Sequence, residues 1–414
     1  MQHRDVKRAK FFNIFILGGV TLVAGVVLAV NIAMDPWGLM YNPNNHTQGA
    51  SPNFQGVNER ITHAYWMRQN TFDVLHVGSS RVRYMLDKGI DGIISSAQSK
   101  TVYPDKTVYS AGISGTNMHI MRRVTEHALA LQDLSQAILL IDFVSMNDAR
   151  PDGAGWKDER YEGGRISESK IAILSNYLSF NMFSTSLENM FPDIFANKDE
   201  SSIANIIKMP EPRSQKDKEE QWKLLTSEFF RYDLYGCYSL SQRAIEDIDV
   251  TLAQLKGRDV DVKILFPPIH YTLYEMIWRT GNWENYKNFV RSVVKIAAKY
   301  DVPTWHSSPY TPFTDMDILK YDYAVDKEFD LQPNYYDPGH ANQIISLELL
   351  KIAQGIPTER TDIPSNFATQ LTPKNIELEL TKLSEQRTSF LSRSLKFLYL
   401  VPAKAEKPGC STPQ

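Results

Sequence analysis

Three separated segments hold the residue types needed for serine-based acyl chemistry. Ser79 and Ser80 follow Gly78 at the end of an apolar run, Gly112, Gly115, Thr116 and Asn117 lie in a second segment, and Asp337-Pro-Gly-His340 lies near the end. A serine hydroxyl becomes nucleophilic when a histidine takes its proton, and a carboxylate on the other ring nitrogen fixes the tautomer. The oxyanion formed by attack needs N–H donors, which an unobstructed glycine amide or an asparagine side chain can supply. Asn147, in Ser145-Met-Asn-Asp148, is a candidate for the asparagine.

Each segment also has an ordinary reading. Gly-Ser-Ser is a common turn and helix cap, and Asn147 suits a cap equally well. Asp-x-x-His occurs twice, as Asp73…His76 and Asp337…His340. The first copy falls inside a strand, whereas the second sits in a loop rich in Tyr, Pro and Gly, followed by an apolar helix. His270 follows the fourth strand and could line the cleft, although a surface position is the more ordinary reading, and His119 reads as structural. Tyr65, Trp66, Tyr271, Tyr274, Trp278 and Trp283 could stack on sugars, although aromatic residues at such spacing also build cores.

The elements that must carry these residues are short apolar strands at 72–77, 106–109, 137–143, 260–266 and 302–305, separated by helical patterns at about 115–132, 168–190, 215–256, 283–299 and 341–353. Near-continuous apolar strands alternating with helices predict an α/β chain with a parallel sheet covered on both faces. Residues beyond carboxyl strand ends in such a sheet are where ligands bind. The stretch 150–258 is too long for one crossover and reads as a helical insertion or cap, with a solvated charged run at Lys216-Asp-Lys-Glu-Glu220. Residues 34–70 read as a lead-in, 71–356 as the main domain, and 357–414 as an amphipathic helix (373–398) packed on the domain, then a tail.

Residues 11–33 carry no charge. Twenty-three residues give roughly 35 Å of helix, enough for a bilayer core of about 30 Å. Arg4, Lys7, Arg8 and Lys10 precede the span, and the next basic residue is Arg60. The positive-inside rule therefore predicts a single-pass protein with residues 1–10 in the cytoplasm and the main domain outside, anchored in the cell (inner) membrane. A cleaved signal peptide is the alternative, and it too exports the domain. Net charge is −3 over 414 residues, which gives no electrostatic case for nucleic acid. No CxxC, HExxH or Walker-type loop is present, so neither a metal nor a cofactor is expected. The two cysteines, Cys237 and Cys410, read as one half-buried thiol and one on the tail, although export would permit a disulfide.

In order and type these segments resemble the SGNH (GDSL-like) hydrolases, named for a Ser, a Gly, an Asn and a His in four blocks. Ser80 falls on the nucleophile, Gly115 on the glycine, Asn147 on the asparagine, and Asp337 and His340 on the final Asp-x-x-His. The resemblance spans about 72–355, without 150–258. The first block reads Gly-Ser-Ser where the family usually has Gly-Asp-Ser, which leaves Ser79 and Ser80 as alternatives. The third reads Ser-Met-Asn where the family usually has Gly-x-Asn. The resemblance implies a three-layer α/β/α fold with a five-stranded parallel, flavodoxin-like sheet. It also implies a Ser80–His340–Asp337 triad, with Gly115 and Asn147 in the oxyanion hole. A membrane-tethered, extracytoplasmic form is similar to the alginate acetylation proteins, peptidoglycan O-acetyltransferases and the teichoic-acid D-alanylation protein, a branch that Asp142 and Pro267-Pro268 also echo. That similarity implies acyl transfer from an integral membrane acyltransferase to a polysaccharide or glycopolymer. A carbohydrate esterase with the same triad and a non-catalytic scaffold are the other readings.

Overall fold

A mixed seven-stranded sheet forms the centre of the chain in a computed structural model. The structure describes residues 2–39, 59–86, 92–94, 96–153, 155–164, 170–191, 215–311, 314, 335–358, 360–393 and 401. Helices α1 (Gln2–Met34) and α2 (Glu59–Gln69) precede strand β1 (Val74–Gly78), which is followed by β2 (Gly92–Ile94) and β3 (Val108–Gly112). Next come α3 (Met118–Leu131), β4 (Gln136–Leu140), α4 (Lys170–Tyr177), α5 (Phe180–Met190), α6 (Gln215–Glu228) and α7 (Gln242–Lys256). The second half contains β5 (Asp261–Phe266), α8 (Tyr271–Arg279), α9 (Trp283–Lys299), β6 (Thr304–Ser307), β7 (Tyr335–Asp337), β8 (His340–Ala341), α10 (Gln343–Gln354), β9 (Ala368–Leu371) and α11 (Ile376–Arg393).

The strand order is β2-β3-β1-β4-β5-β6-β9. The five strands expected from sequence are the central ones, and all pair in parallel. The sheet is nevertheless not the five-stranded, wholly parallel one expected, because β2 and β9 add antiparallel edges. Both are short, and β9 alternates little in polarity, so neither carries a strong strand pattern. Strands β1, β3 and β4 are buried at every residue, as apolar runs covered on both faces must be.

The helices follow local signals. Asn117 caps α3 by accepting from Ile120 N at 3.0 Å, and Asn342 caps α10 by accepting from Ile345 N at 3.2 Å. Helix α3 packs on α7, and α7 packs on α9 and β5. The last part of the 150–258 stretch is therefore built into the helical cover of the sheet. The pattern over 168–190 is broken at Leu178-Ser179, where Ser179 caps a new helix. Within the lead-in, residues 59–69 form the buried helix α2 where an extended segment was expected, and residues 40–58 lie outside the described residues.

Helix α11 occupies most of the predicted 373–398 segment. It docks through Leu380 and Leu383, and through Arg387, which donates to both oxygens of buried Glu275 at 2.7 and 2.8 Å. The tail beyond residue 401 lies outside the described residues. Cys237 is disulfide-bonded and so is not the half-buried thiol expected, while Cys410 lies outside the described residues. Within α1, Phe12–Met34 is long and apolar enough to cross a membrane.

Candidate active site

Ser80 stands just past the carboxyl end of β1, the strand on either side of which the chain lays β3 and β4. In register, Gly78 pairs with Gly112 on one side and Leu140 on the other. That is the crevice where strand order reverses, the place where open parallel sheets bind ligands. The turn out of β1 needs Gly78. A Cβ there would lie 2.6 Å from the Leu140 carbonyl oxygen and 2.7 Å from Val82 Cγ2. Gly78→Ala is accordingly expected to cost about 1–3 kcal/mol of stability by overpacking and to displace Ser80. Urea denaturation together with ester turnover would check both effects.

The Ser80 hydroxyl lies 2.7 Å from His340 Nε2. His340 Nδ1 lies 2.6 Å from Asp337 Oδ2, while Asp337 Oδ1 accepts the backbone N–H groups of Gly339 at 2.7 Å and His340 at 2.9 Å. Three residues predicted from sequence thus form one continuous hydrogen-bonded chain across 260 positions. Asp337 is buried, which by itself would raise its pKa. The positive charge and hydrogen bond of His340, the Gly339 amide and Arg81 outweigh burial and hold the carboxyl below its ordinary range. The His340 side chain keeps 26% of its exposure, so its ring opens onto solvent. Tyr84 packs edge-on against that ring, with centroids 5.6 Å apart.

The choice between the two serines is also visible. Ser79 Oγ is buried and has no hydrogen-bond partner among the described residues, whereas Ser80 holds the histidine. The second Asp-x-x-His does different work. His76 is buried against the Tyr103 hydroxyl at 2.9 Å, and burial pushes its pKa down to about 3. Asp73 accepts the Thr107 amide at 2.8 Å, so the two side chains never meet as acid and base.

Gly115 has φ of +63°, and a Cβ there would meet the Arg150 guanidinium at 2.1 Å. Arg150 donates from Nε to the Gly115 carbonyl at 3.0 Å and pairs with Asp233. The left-handed conformation therefore favours glycine at this position, and a side chain would also have to displace the Arg150 guanidinium. Asn147 departs from its expected part. Its Nδ2 donates to the carbonyl oxygens of Asp233 at 3.2 Å and Leu234 at 2.9 Å, and its Oδ1 accepts the Ala149 and Ser239 amides. With both amide hydrogens engaged, Asn147 ties the 233–239 segment to the end of β4 and has none left for an oxyanion.

Several residues outside the triad and the oxyanion candidates support the site. Arg81 donates from Nε to the Gly339 carbonyl at 2.6 Å and pairs with Asp142, clamping the histidine loop to the end of β4. Asp142 in turn accepts the Ser145 amide at 2.8 Å. Their signal was adjacency, Arg81 to the serine and Asp142 to a strand end. From α2, Glu59 pairs with Arg83 and accepts the Ser114 amide, Arg83 donates to the Gly112 carbonyl at 2.7 Å, and Arg60 donates to the Ser114 carbonyl at 2.8 Å. Burial would raise the Glu59 pKa, but Arg83 and the Ser114 amide bring it below its usual value.

His270 is wholly buried, not a surface residue. Its backbone N–H donates to the Pro338 carbonyl at 3.0 Å, and burial lowers its imidazole to about 3. His119 bonds Asp158 at 2.9 Å. Tyr65, Trp66, Tyr271, Tyr274 and Trp283 are buried, and Trp278 packs on the core under Arg387, so these aromatics form no open platform.

No protein-family model matches the chain, and no curated protein is significantly similar to it.

Proposed function

We propose that the chain is an SGNH-type serine enzyme that transfers acyl esters onto an extracytoplasmic polysaccharide or cell-envelope glycopolymer. The observation that carries this reading is the hydrogen-bonded sequence Ser80–His340–Asp337 at the switch point of the sheet. The five parallel strands in the order second, first, third, fourth, fifth support a flavodoxin-like core, to which β2 and β9 are additions.

Ser80 attacks the donor ester carbonyl while His340 takes its proton. His340 then protonates the leaving alkoxide, and a covalent acyl-serine forms. An acceptor hydroxyl gives its proton to His340 and attacks the acyl-serine; the bond to Ser80 Oγ breaks, His340 returns the proton to that oxygen, and the new ester leaves. Asp337 fixes the ring so that Nε2 faces the serine and stabilises the transient imidazolium. The Ser80 amide opens a 3₁₀ turn, where the first N–H groups have no intrahelical acceptor, and Gly115 presents a second amide. These two hold the oxyanion in this reading. Asn147 positions the neighbouring loop.

A carbohydrate-compatible groove meets the candidate site through Arg150, which bonds the Gly115 carbonyl, and does not itself include Ser80 or His340. The groove, of about 550 Å³, is lined by polar residues including Asp148, Tyr232, Ser239, Asn282 and Asn285, a composition suited to sugar hydroxyls. The apolar α1 and the disulfide at Cys237 support a membrane-tethered, exported domain, where an integral membrane acyltransferase would be the donor. The test is active-site labelling. A fluorophosphonate should mark the wild-type protein at Ser80 and fail on Ser80→Ala. A wild-type protein that does not label would make the chain a scaffold. With an acetyl ester as donor, formation of acylated oligosaccharide distinguishes transfer from hydrolysis, the outcome expected of a carbohydrate esterase.

A further inference from the structure

Helices α4 and α5 form a hairpin that packs on α1, the apolar N-terminal helix. The joint is polar and buried. Asn31, fully buried, donates from Nδ2 to the carbonyl oxygens of Tyr177 at 2.7 Å and Ser179 at 3.3 Å, and accepts from the Ser186 hydroxyl at 2.8 Å. One turn on, the Tyr177 hydroxyl donates to Asp35 at 2.8 Å. Asn31 lies within Phe12–Met34, and Val27, a turn earlier, is also buried. A polar side chain in a membrane span is costly unless it is satisfied. Asn31 is satisfied by three bonds, all from the hairpin.

Depth follows from length. If the last two turns of α1 stood clear of the bilayer, residues 12–26 would have to cross it alone, giving about 22 Å of helix against a hydrocarbon core of about 30 Å. The turns that hold the hairpin must therefore lie at lipid depth, and the hairpin lies there with them. Its composition agrees. No charged residue occurs from 171 to 187. Among the described residues, the exposed large hydrophobic side chains outside α1 are Leu174, Leu178, Phe180, Met190, Phe191, Leu224, Val250 and Leu378, and the first five of these eight belong to the hairpin or its end. Phe180 is 76% exposed. The backbone at the bend is satisfied as well. Leu178 N donates to Leu174 O at 3.2 Å and Ser179 N to Asn176 O at 3.0 Å, while Asn31 takes the carbonyls of residues 177 and 179. Internal satisfaction of this kind is what hydrocarbon demands of non-helical backbone.

We propose that the α4–α5 hairpin is a second membrane-contacting element, embedded beside α1 with Leu178 and Phe180 against lipid acyl chains. The inference rests on α1 crossing the membrane and is independent of the chemistry assigned to Ser80. The test uses the full-length protein in phosphatidylcholine–phosphatidylglycerol vesicles, labelled with an environment-sensitive fluorophore at Leu22→Cys, Leu178→Cys, Phe180→Cys or Val250→Cys. No reductant is used, so that the disulfide at Cys237 stays closed. Emission at 178 and 180 should shift to the blue and be quenched by acyl-chain doxyl lipids to an extent comparable with position 22, while position 250 stays unaffected. Quenching at 22 with water-exposed labels at 178 and 180 would overturn the proposal and leave the anchor intact. Labels at 178 and 180 that are shielded from water yet insensitive to doxyl lipid would place a second protein copy on the hairpin and overturn it too. Absence of quenching at 22 would remove the anchor itself, and the proposal with it.

Discussion

Replacement of Ser80 by alanine is expected to lower turnover of a small acetyl ester on the order of 10⁴-fold or more, with little change in thermal stability. Ser80 Oγ is half-exposed to the crevice and makes its described hydrogen bond to His340. In the proposed mechanism this atom carries the acyl group, and its removal leaves β1 and the Gly78 turn in place. Single-turnover kinetics on purified protein, alongside a melting curve, would check both halves of the statement. Turnover that survives in Ser80→Ala would reject this serine as nucleophile. The alternative at Ser79 offers no rescue, because its hydroxyl is buried with no partner among the described residues.

Asp337→Asn is expected to cost about as much, roughly 10⁴-fold, with the loop still folded. The two backbone amides that Asp337 Oδ1 accepts can be accepted equally well by an asparagine oxygen. The amide nitrogen must then face His340 Nδ1, which forces that nitrogen to accept and moves the ring proton to Nε2. A protonated Nε2 cannot take the serine proton. The same substitution removes a stability dependence. The Asp337 carboxyl has a native pKa below its ordinary value, so the stability it contributes is present above the unfolded-state pKa and is lost as pH falls through the lower native value. Wild-type protein should therefore lose more stability on acidification than Asp337→Asn does. Equal acid sensitivity in the two proteins, measured by urea denaturation across that range, would contradict an ionised Asp337.

The central sheet and the triad were legible in the sequence for a common reason. Buried parallel strands announce themselves as apolar runs, and Ser80, Asp337 and His340 fall at the ends of such runs or in a glycine-bearing loop between them. The edge strands β2 and β9 were not legible, since an edge is fixed by what it pairs with and not by its own composition. Helix α2 was hidden for a related reason: its polar residues Glu59, Arg60 and His63 break the apolar pattern, yet His63 is buried and the other two half-buried because each meets a partner distant in sequence. Asn147 shows the limit of carrying a role over by residue type. An amide at a strand end can face a substrate or a neighbouring loop, and only the positions of the Asp233 and Leu234 carbonyls decide which. The histidines make the same point. His76 and His270 look as available as His340 in one dimension, and it is enclosure that silences them.

The pairing of Glu59 with Arg83 bears on how far the chain can be shortened before the segments around Ser80 and Gly115 lose their support. Glu59 and Arg60 lie within the 34–70 stretch that follows α1, yet they bind Arg83 and Ser114, next to Gly115. A soluble fragment trimmed to the first core strand would leave the Arg83 guanidinium enclosed without its carboxylate and the Ser114 amide without an acceptor. Shortened versions of the domain should begin upstream of residue 59, so that the candidate site keeps the brace that α2 gives it.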